Sequence, residues 1–151
     1  MQDGYAPEND SGLSSNSTIS DEGQQDRQRF ALERDMQAAL RAKISDLEEG
    51  LRIADEGVER SVESGFIDIL CVDRAGQAVV IELKSGKTDA RVVGQTLGYM
   101  GDIIEEGEFE DVRGVIVANA FDKRTIAASR AVPNLKLVTY GINFYFEPVS
   151  L

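Results

Sequence analysis

The amino-acid sequence predicts an α/β layer fold with a central mixed β-sheet flanked by helices. Three observations carry this. Phe66–Val72 and Ala78–Lys84 are apolar runs of strand length around the polar, Gly-containing turn Asp73-Arg74-Ala75-Gly76-Gln77, which is a hairpin pattern. A helix expected over Ala90–Glu105 separates this hairpin from a third apolar run, Val112–Ala118. Such a crossover makes the strands on either side of it parallel. Within the second run, Ala78-Val79-Val80-Ile81 is apolar on both faces, the mark of a strand covered on both sides.

In chain order, residues 1–26 are rich in Ser, Asn, Asp, Gly and Gln. They read as a flexible acidic tail, or as an arm resting on this or another subunit, ahead of a folded unit over residues 27–151. From Gln28 to Glu49, Phe30, Glu33, Met36, Leu40, Ile44 and Leu47 recur every three or four residues, so a helix with a core-facing stripe is expected, stopped by Gly50. Leu51–Val62 is mixed and reads as one or two short strands near an edge. After the hairpin, Ser85-Gly86-Lys87 reads as a loop, and Thr88 or Asp89 as the cap of the Ala90–Glu105 helix. That helix carries Gly94, Gly98 and Gly101, each costing about 1 kcal/mol relative to Ala, so a close approach to another element is expected there. Asp122–Ala131 reads as a short helix, Leu135–Tyr140 as a strand, Gly141 as a turn and Asn143–Phe146 as a last aromatic strand.

Composition narrows the chemistry. A chain of 151 residues with 42% hydrophobic content suits one domain with a core. No apolar run approaches the roughly 20 residues that span a membrane, and the polar N-terminus does not read as a secretory signal. The single cysteine, Cys71, precludes an internal disulfide, fits a reducing cytoplasm and reads as a small core hydrophobe. Histidine is absent, which removes His-based acid/base catalysis, Ser-His-Asp triads and His-bound zinc. Catalysis must then rest on carboxylates, Lys, Tyr or a metal held by oxygen, and hard oxygen donors favour Mg²⁺ or Mn²⁺. The net charge of −11 argues against tight non-specific binding of nucleic acid. Six of the acids, and none of the bases, lie in residues 1–26, leaving 21 acids against 16 bases over residues 27–151.

The unusual residues are Asp68, Glu82 and Lys84, charges within otherwise apolar strands. Glu82 and Lys84 share a face and Leu83 points away. On a solvent face, alternating Glu and Lys would be ordinary. At the end of a strand covered on both sides they are costly unless paired or metal-bound. Asp68 and Glu82, with the main-chain carbonyl of Leu83, offer oxygen donors for a Mg²⁺ that lowers the pKa of a bound water and neutralises a phosphate. Lys84 is placed to orient that water or stabilise charge on phosphorus. Glu33, on the face of the first helix, is either a helix-surface Glu at the edge of the stripe or the holder of a further metal-bound water.

Asp68 followed by Glu82-x-Lys84 after a hairpin, with Glu33 upstream on a helix and Gln95-x-x-x-Tyr99 downstream, resembles the PD-(D/E)XK nuclease superfamily. Glu33-Arg34-Asp35-Met36-Gln37, Leu47-Glu48-Glu49-Gly50-Leu51, Gly65-Phe66-Ile67-Asp68-Ile69-Leu70 and Val79-Val80-Ile81-Glu82-Leu83-Lys84-Ser85-Gly86 are similar to the nuclease domain of NucS/EndoMS-type endonucleases. The resemblance covers about two thirds of the chain. It implies a restriction-endonuclease-like core and a Mg²⁺- or Mn²⁺-dependent DNA endonuclease. Asp68, Glu82 and Lys84 would be catalytic, with Glu33, Asp68, Glu82 and Leu83 around the metal. Gln95 would sit near the substrate, and Tyr99 would either join it or belong to the core. Lys87 and Arg91 are candidates for phosphate contacts. Enzymes of this type carry a separate N-terminal domain for dimerisation and DNA engagement, where this chain has a short acidic tail. The expectation is therefore a nuclease unit that acts on DNA as a homodimer or through a separate targeting domain or partner. The alternative is a catalytically inactive nuclease-like fold that binds nucleic acid or protein.

Overall fold

The structure, a computed structural model, describes residues 17–151. A five-stranded mixed sheet of order β1-β4-β5-β6-β7 lies at its centre, and β2 and β3 form a separate two-stranded ribbon. The elements are α1 (Ser17–Ala42), α2 (Ile44–Leu47), β1 (Arg52–Ile53), β2 (Arg60–Val62), β3 (Gly65–Ile67), β4 (Ile69–Val72), β5 (Ala78–Thr88), α3 (Arg91–Glu106), β6 (Val112–Phe121), α4 (Lys123–Arg130) and β7 (Leu135–Thr139). β4 and β5 pair antiparallel, while β5–β6 and β6–β7 pair parallel, as the helical crossover requires.

Side chains alternate across β5, and each face has its own cover. Val79, Ile81 and Leu83 join Ile69, Val115 and Val117, with Met36, Leu40, Ile44 and Leu47 of α1 and α2 packed against them. Ala78 and Val80 lie on the other face with Tyr99, Met100 and Ile103 of α3. The double cover explains why Ala78–Leu83 is continuously buried. β6 meets α3 closely at Gly114, where a Cβ would lie 2.7 Å from the Met100 sulfur and 3.1 Å from Thr96 Cγ2.

Several elements differ from expectation. The helix begins at Ser17, so residues 17–26, expected in the tail, are helical, and the rest of that tail lies outside the described residues. Phe30, expected on the core stripe, is 64% exposed, and the α1 side chains that pack on the sheet core are Met36 and Leu40. Ser85-Gly86-Lys87, expected as a loop, continues β5, with a register shift between Lys84 and Lys87. Asn143–Phe146 forms no strand, and residues 141–151 are exposed. The glycines of α3 do not mark a close approach. A Cβ on Gly94 or Gly101 would meet nothing within 4 Å, and one on Gly98 only Ser64 Oγ at 3.8 Å. Asp122 caps α4 as expected, accepting a hydrogen bond from the Thr125 N–H. The Ala90 N-cap of α3 makes no side-chain bond, although Asp89 accepts the Arg91 N–H.

Candidate active site

The site exists because two strands part. The β4–β5 ladder ends at Ile69↔Ile81, whereas β5–β6 pairing runs on to Thr88↔Phe121. Beyond Ile81, β5 has no strand beside it on the β4 side. Asp68 stands in the gap between β3 and β4, and its Oδ2 accepts the Leu83 N–H at 2.8 Å. The Asp68 N–H lies 3.4 Å from Glu82 Oε1, so the two carboxylates turn into the same opening. With Lys84 they line a cleft of about 360 Å³, walled by Glu33 and Gln37 of α1, Phe66 of the ribbon and Gln95 of α3.

Two acids this close, with little water, oppose each other's ionisation. Burial, and then the Asp68 charge, push the Glu82 carboxyl up to about 9. Burial also raises Asp68, against the pull of the Leu83 N–H and Lys84. Lys84 is the counter-charge that lowers both. Glu82 is only 2% exposed. A half-compensated pair of carboxylates is a donor set that a hard cation relieves, and the donors are oxygen alone, which fits Mg²⁺ or Mn²⁺. Among the described residues, however, no group of three or more acids, His or Cys is gathered closely enough to hold a metal. Glu33 does not join Asp68 and Glu82 in such a cluster. Its Oε1 accepts from the Ser85 N–H at 3.0 Å and from Ser85 Oγ at 3.3 Å.

A second tier holds Asp68 in place. Its carbonyl accepts from Gln37 Nε2 and from an Arg41 Nη, both at 2.8 Å. Arg41 grips Asp55 with two bonds of 2.6 and 2.8 Å, and Asp55 accepts the Leu70 N–H at 2.8 Å. The bulged part of β5 is fixed from two sides. Ser85 is held by Glu33, and its carbonyl accepts from the Tyr140 hydroxyl. Sequence reasoning missed Gln37, Arg41, Asp55, Ser85 and Tyr140. For the first two a signal was available, since Glu33, Gln37 and Arg41 are four residues apart and form one polar stripe beside the apolar one.

The outer residues divide. Lys87 and Arg91 border an adjoining hollow of about 680 Å³ together with Lys84 and Gln95. Arg91 is ion-paired with Asp89 at 2.8 Å. Gln95 is exposed at the cleft and donates to the Tyr99 hydroxyl at 3.0 Å. Tyr99 itself is 6% exposed, packed in the core against Gly65, where φ is +152° and a Cβ would lie 3.0 Å from the Tyr99 hydroxyl. It does not line the cleft, and its burial fits the core alternative of the sequence reading. Cys71 is fully buried, as expected of a core residue.

Residues 32–137 match the endonuclease NucS C-terminal domain. Endonuclease NucS of Methanopyrus kandleri is 33% identical over 123 residues, covering 81% of this chain and 43% of that protein. Endonuclease NucS of Pyrococcus abyssi is 37% identical over 75 residues, covering 46% of this chain and 30% of that protein. A crystal structure of a repair endonuclease from Pyrococcus abyssi superposes with a TM-score of 0.64 at 28% identity, covering 72% of this chain and 46% of the other. A structure of an EndoMS–dsDNA complex shares the fold, with a TM-score of 0.64 at 23% identity and coverages of 72% and 44%. The chain spans less than half the length of these relatives. On the extent of the match and its agreement with the observed fold, the chain belongs to the endonuclease NucS C-terminal domain family.

Proposed function

We propose that this chain is a Mg²⁺- or Mn²⁺-dependent endonuclease that hydrolyses DNA phosphodiester bonds. The observation that carries this is the pairing of Asp68 and Glu82 in one cleft beside Lys84, at the point where β4 leaves β5. Asp68, Glu82 and the carbonyl of Leu83 would hold the cation. When bound, it lowers the pKa of a water and neutralises the scissile phosphate. Lys84 orients the attacking water and stabilises the charge that develops on phosphorus. Glu33 stands at the rim with Ser85, where it can hold a water without joining the first carboxylates. Gln95, Lys87 and Arg91 extend the site towards the strand's phosphates. The family relationship supports DNA as the partner, and cleavage of both strands of a duplex would take two sites, from a homodimer or from a separate targeting partner. A reducing cytoplasm fits the lone buried thiol, and no described helix is long and apolar enough to cross a membrane.

The test is cleavage of single-stranded, duplex, branched and mismatched DNA with Mg²⁺ or Mn²⁺. At least one should be cut, and Asp68→Ala, Glu82→Ala and Lys84→Ala should lose cutting while keeping the fold. No metal-dependent cutting of any of them would overturn the reading. A second reading, a nuclease-like fold used for binding, is favoured by Glu33 being engaged with Ser85. Metal titration separates the two, because a fold that has lost catalysis should show no metal-linked rise in melting temperature.

A further inference from the structure

Beyond Ile81, side chains take the place of the strand that β4 no longer supplies. Asp68 accepts the Leu83 N–H at 2.8 Å, and two residues further on Glu33 accepts the Ser85 N–H at 3.0 Å. Lys84 lies between these two anchors. Among the described residues it joins no ion pair, so the direction of its ammonium depends on the backbone it springs from. That backbone bulges at once. From Lys84 to Lys87 β5 advances three residues, while its partner β6 advances two, from Ala118 to Ala120. A bulge re-aims the side chains beside it, and its extra residue is left without a ladder partner.

The far side of the bulge is held by Tyr140, whose hydroxyl donates to the Ser85 carbonyl. Tyr140 follows β7 directly, and β6 lies between β7 and β5, so this bond is no part of the sheet ladder. Tyr140 is itself anchored. Its N–H donates to the Ala118 carbonyl of β6 at 3.2 Å, and its ring packs against the cluster that contains Leu83 and Val117. The hydroxyl is thus carried on a fixed ring to the residue next to Lys84. Asp68 has other supports, since its carbonyl accepts from Gln37 and Arg41.

Resting on the nuclease reading above, we propose that Tyr140 is a positioning residue for Lys84. By holding the Ser85 carbonyl it fixes the bulge, and the bulge aims Lys84 into the cleft beside Asp68 and Glu82. Tyr140 does not line the cleft and takes no part in the chemistry. Its hydroxyl therefore affects the rate of the step that Lys84 assists, and leaves the capture of DNA and of the cation unchanged.

The experiment removes the hydroxyl alone and reads Lys84 both with and without cutting. Cleavage of a labelled DNA in Mn²⁺ is followed for wild type, Tyr140→Phe and Tyr145→Phe, the last removing a hydroxyl from a residue that is 87% exposed. Tyr140→Phe should lower kcat by roughly 10- to 100-fold, as a small misplacement of a catalytic group does. Its KM for DNA and its half-saturating Mn²⁺ should match wild type, and Tyr145→Phe should match wild type throughout. In EDTA and without DNA, ¹³C relaxation at Lys84 Cε should show an ordered side chain in wild type and a mobile one in Tyr140→Phe. Lys123, exposed on α4, should be mobile in both. The phenyl ring keeps its packing, so far-UV circular dichroism should show an intact fold. A Lys84 as ordered in Tyr140→Phe as in wild type would overturn the proposal, as would an unchanged kcat or a loss that lies in KM. Loss of Lys84 order without metal-dependent cutting by wild type would keep the positioning role and remove the nuclease reading. Metal-dependent cutting by wild type and by Tyr140→Phe at the same rate would do the reverse.

Discussion

Glu82 is where stability and function oppose each other. Its carboxyl is pushed up to about 9 by burial and by Asp68, far above its ordinary value of 4.5. The folded protein therefore holds a proton there that the unfolded chain releases. That contribution is complete below about pH 4.5 and is lost as pH rises towards 9. Without divalent metal, melting temperature should fall across this window. Glu82→Gln should flatten the fall and melt several degrees above wild type at pH 8. Differential scanning fluorimetry at pH 5–9 in EDTA checks this, and an unchanged slope in the variant would contradict it. Asp55 works in the opposite direction. Burial alone would raise it, but Arg41 and the N–H groups of Leu70 and Gly57 hold it below its ordinary value of 3.8. Its contribution is present above pH 3.8 and is lost as pH falls through the lower folded value. Arg41→Ala leaves a buried carboxylate uncompensated and should cost about 3–5 kcal/mol in urea unfolding at pH 7. Cys71 is fully buried, and burial pushes its thiol up to about 12. Ellman's reagent should label it only after unfolding.

At the scale of elements, β5 does most of the positioning. Its first half is sheet core, and its second half, freed from β4, carries Glu82 and Lys84 into the cleft. The apolar Ala78–Leu83 run was readable from the sequence because burial on two faces leaves a continuous apolar signature, and the turn at Asp73–Gln77 and the helical crossover were readable from their local residues. The bulge after Lys84 was not readable. It is held by Glu33 and Tyr140, which lie 52 and 55 residues away from Ser85, and local composition carries no trace of such partners. The α3 glycines misled for the complementary reason, since the close approach lies at Gly114 of β6, beneath that helix. Gly114→Ala should force Met100, Leu135 or Thr96 to shift and cost roughly 1–3 kcal/mol in chemical denaturation, overpacking being about that costly. A neutral result would mean that Met100 swings clear. The aromatic alternation of Asn143–Phe146 reads as a strand, yet no strand lies beside it, and without a neighbour to bond the pattern stays extended and exposed.

For the whole molecule, the net charge is −11, and the cleft with its adjoining hollow carries both signs: Arg29, Arg34, Lys84, Lys87 and Arg91 border it together with Glu33, Glu59, Asp68, Glu82 and Asp89. A divalent cation on the central carboxylates would shift that local balance towards a phosphate. Asp68, Glu82 and Lys84 were legible as charges in apolar runs, and the structure brings them to one cleft. The Phe66–Val72 run, expected as one strand, is split at Asp68 into β3 and β4, which belong to different sheets. The second tier of Gln37, Arg41 and Asp55 was legible only as a polar stripe without a target. Matching relatives extend well beyond this chain, which covers less than half of their length. The central claim is that Asp68 and Glu82 hold the cation that makes this cleft hydrolytic. It is tested most directly by the rate of cleavage of a labelled DNA as Mn²⁺ is titrated at pH 8, for wild type and for Glu82→Gln. The expected result is a saturable dependence on Mn²⁺ in wild type and a loss of roughly 100-fold or more in the variant, even though the variant melts higher. Cleavage by Glu82→Gln at the wild-type rate, or a wild-type rate indifferent to EDTA, would contradict it.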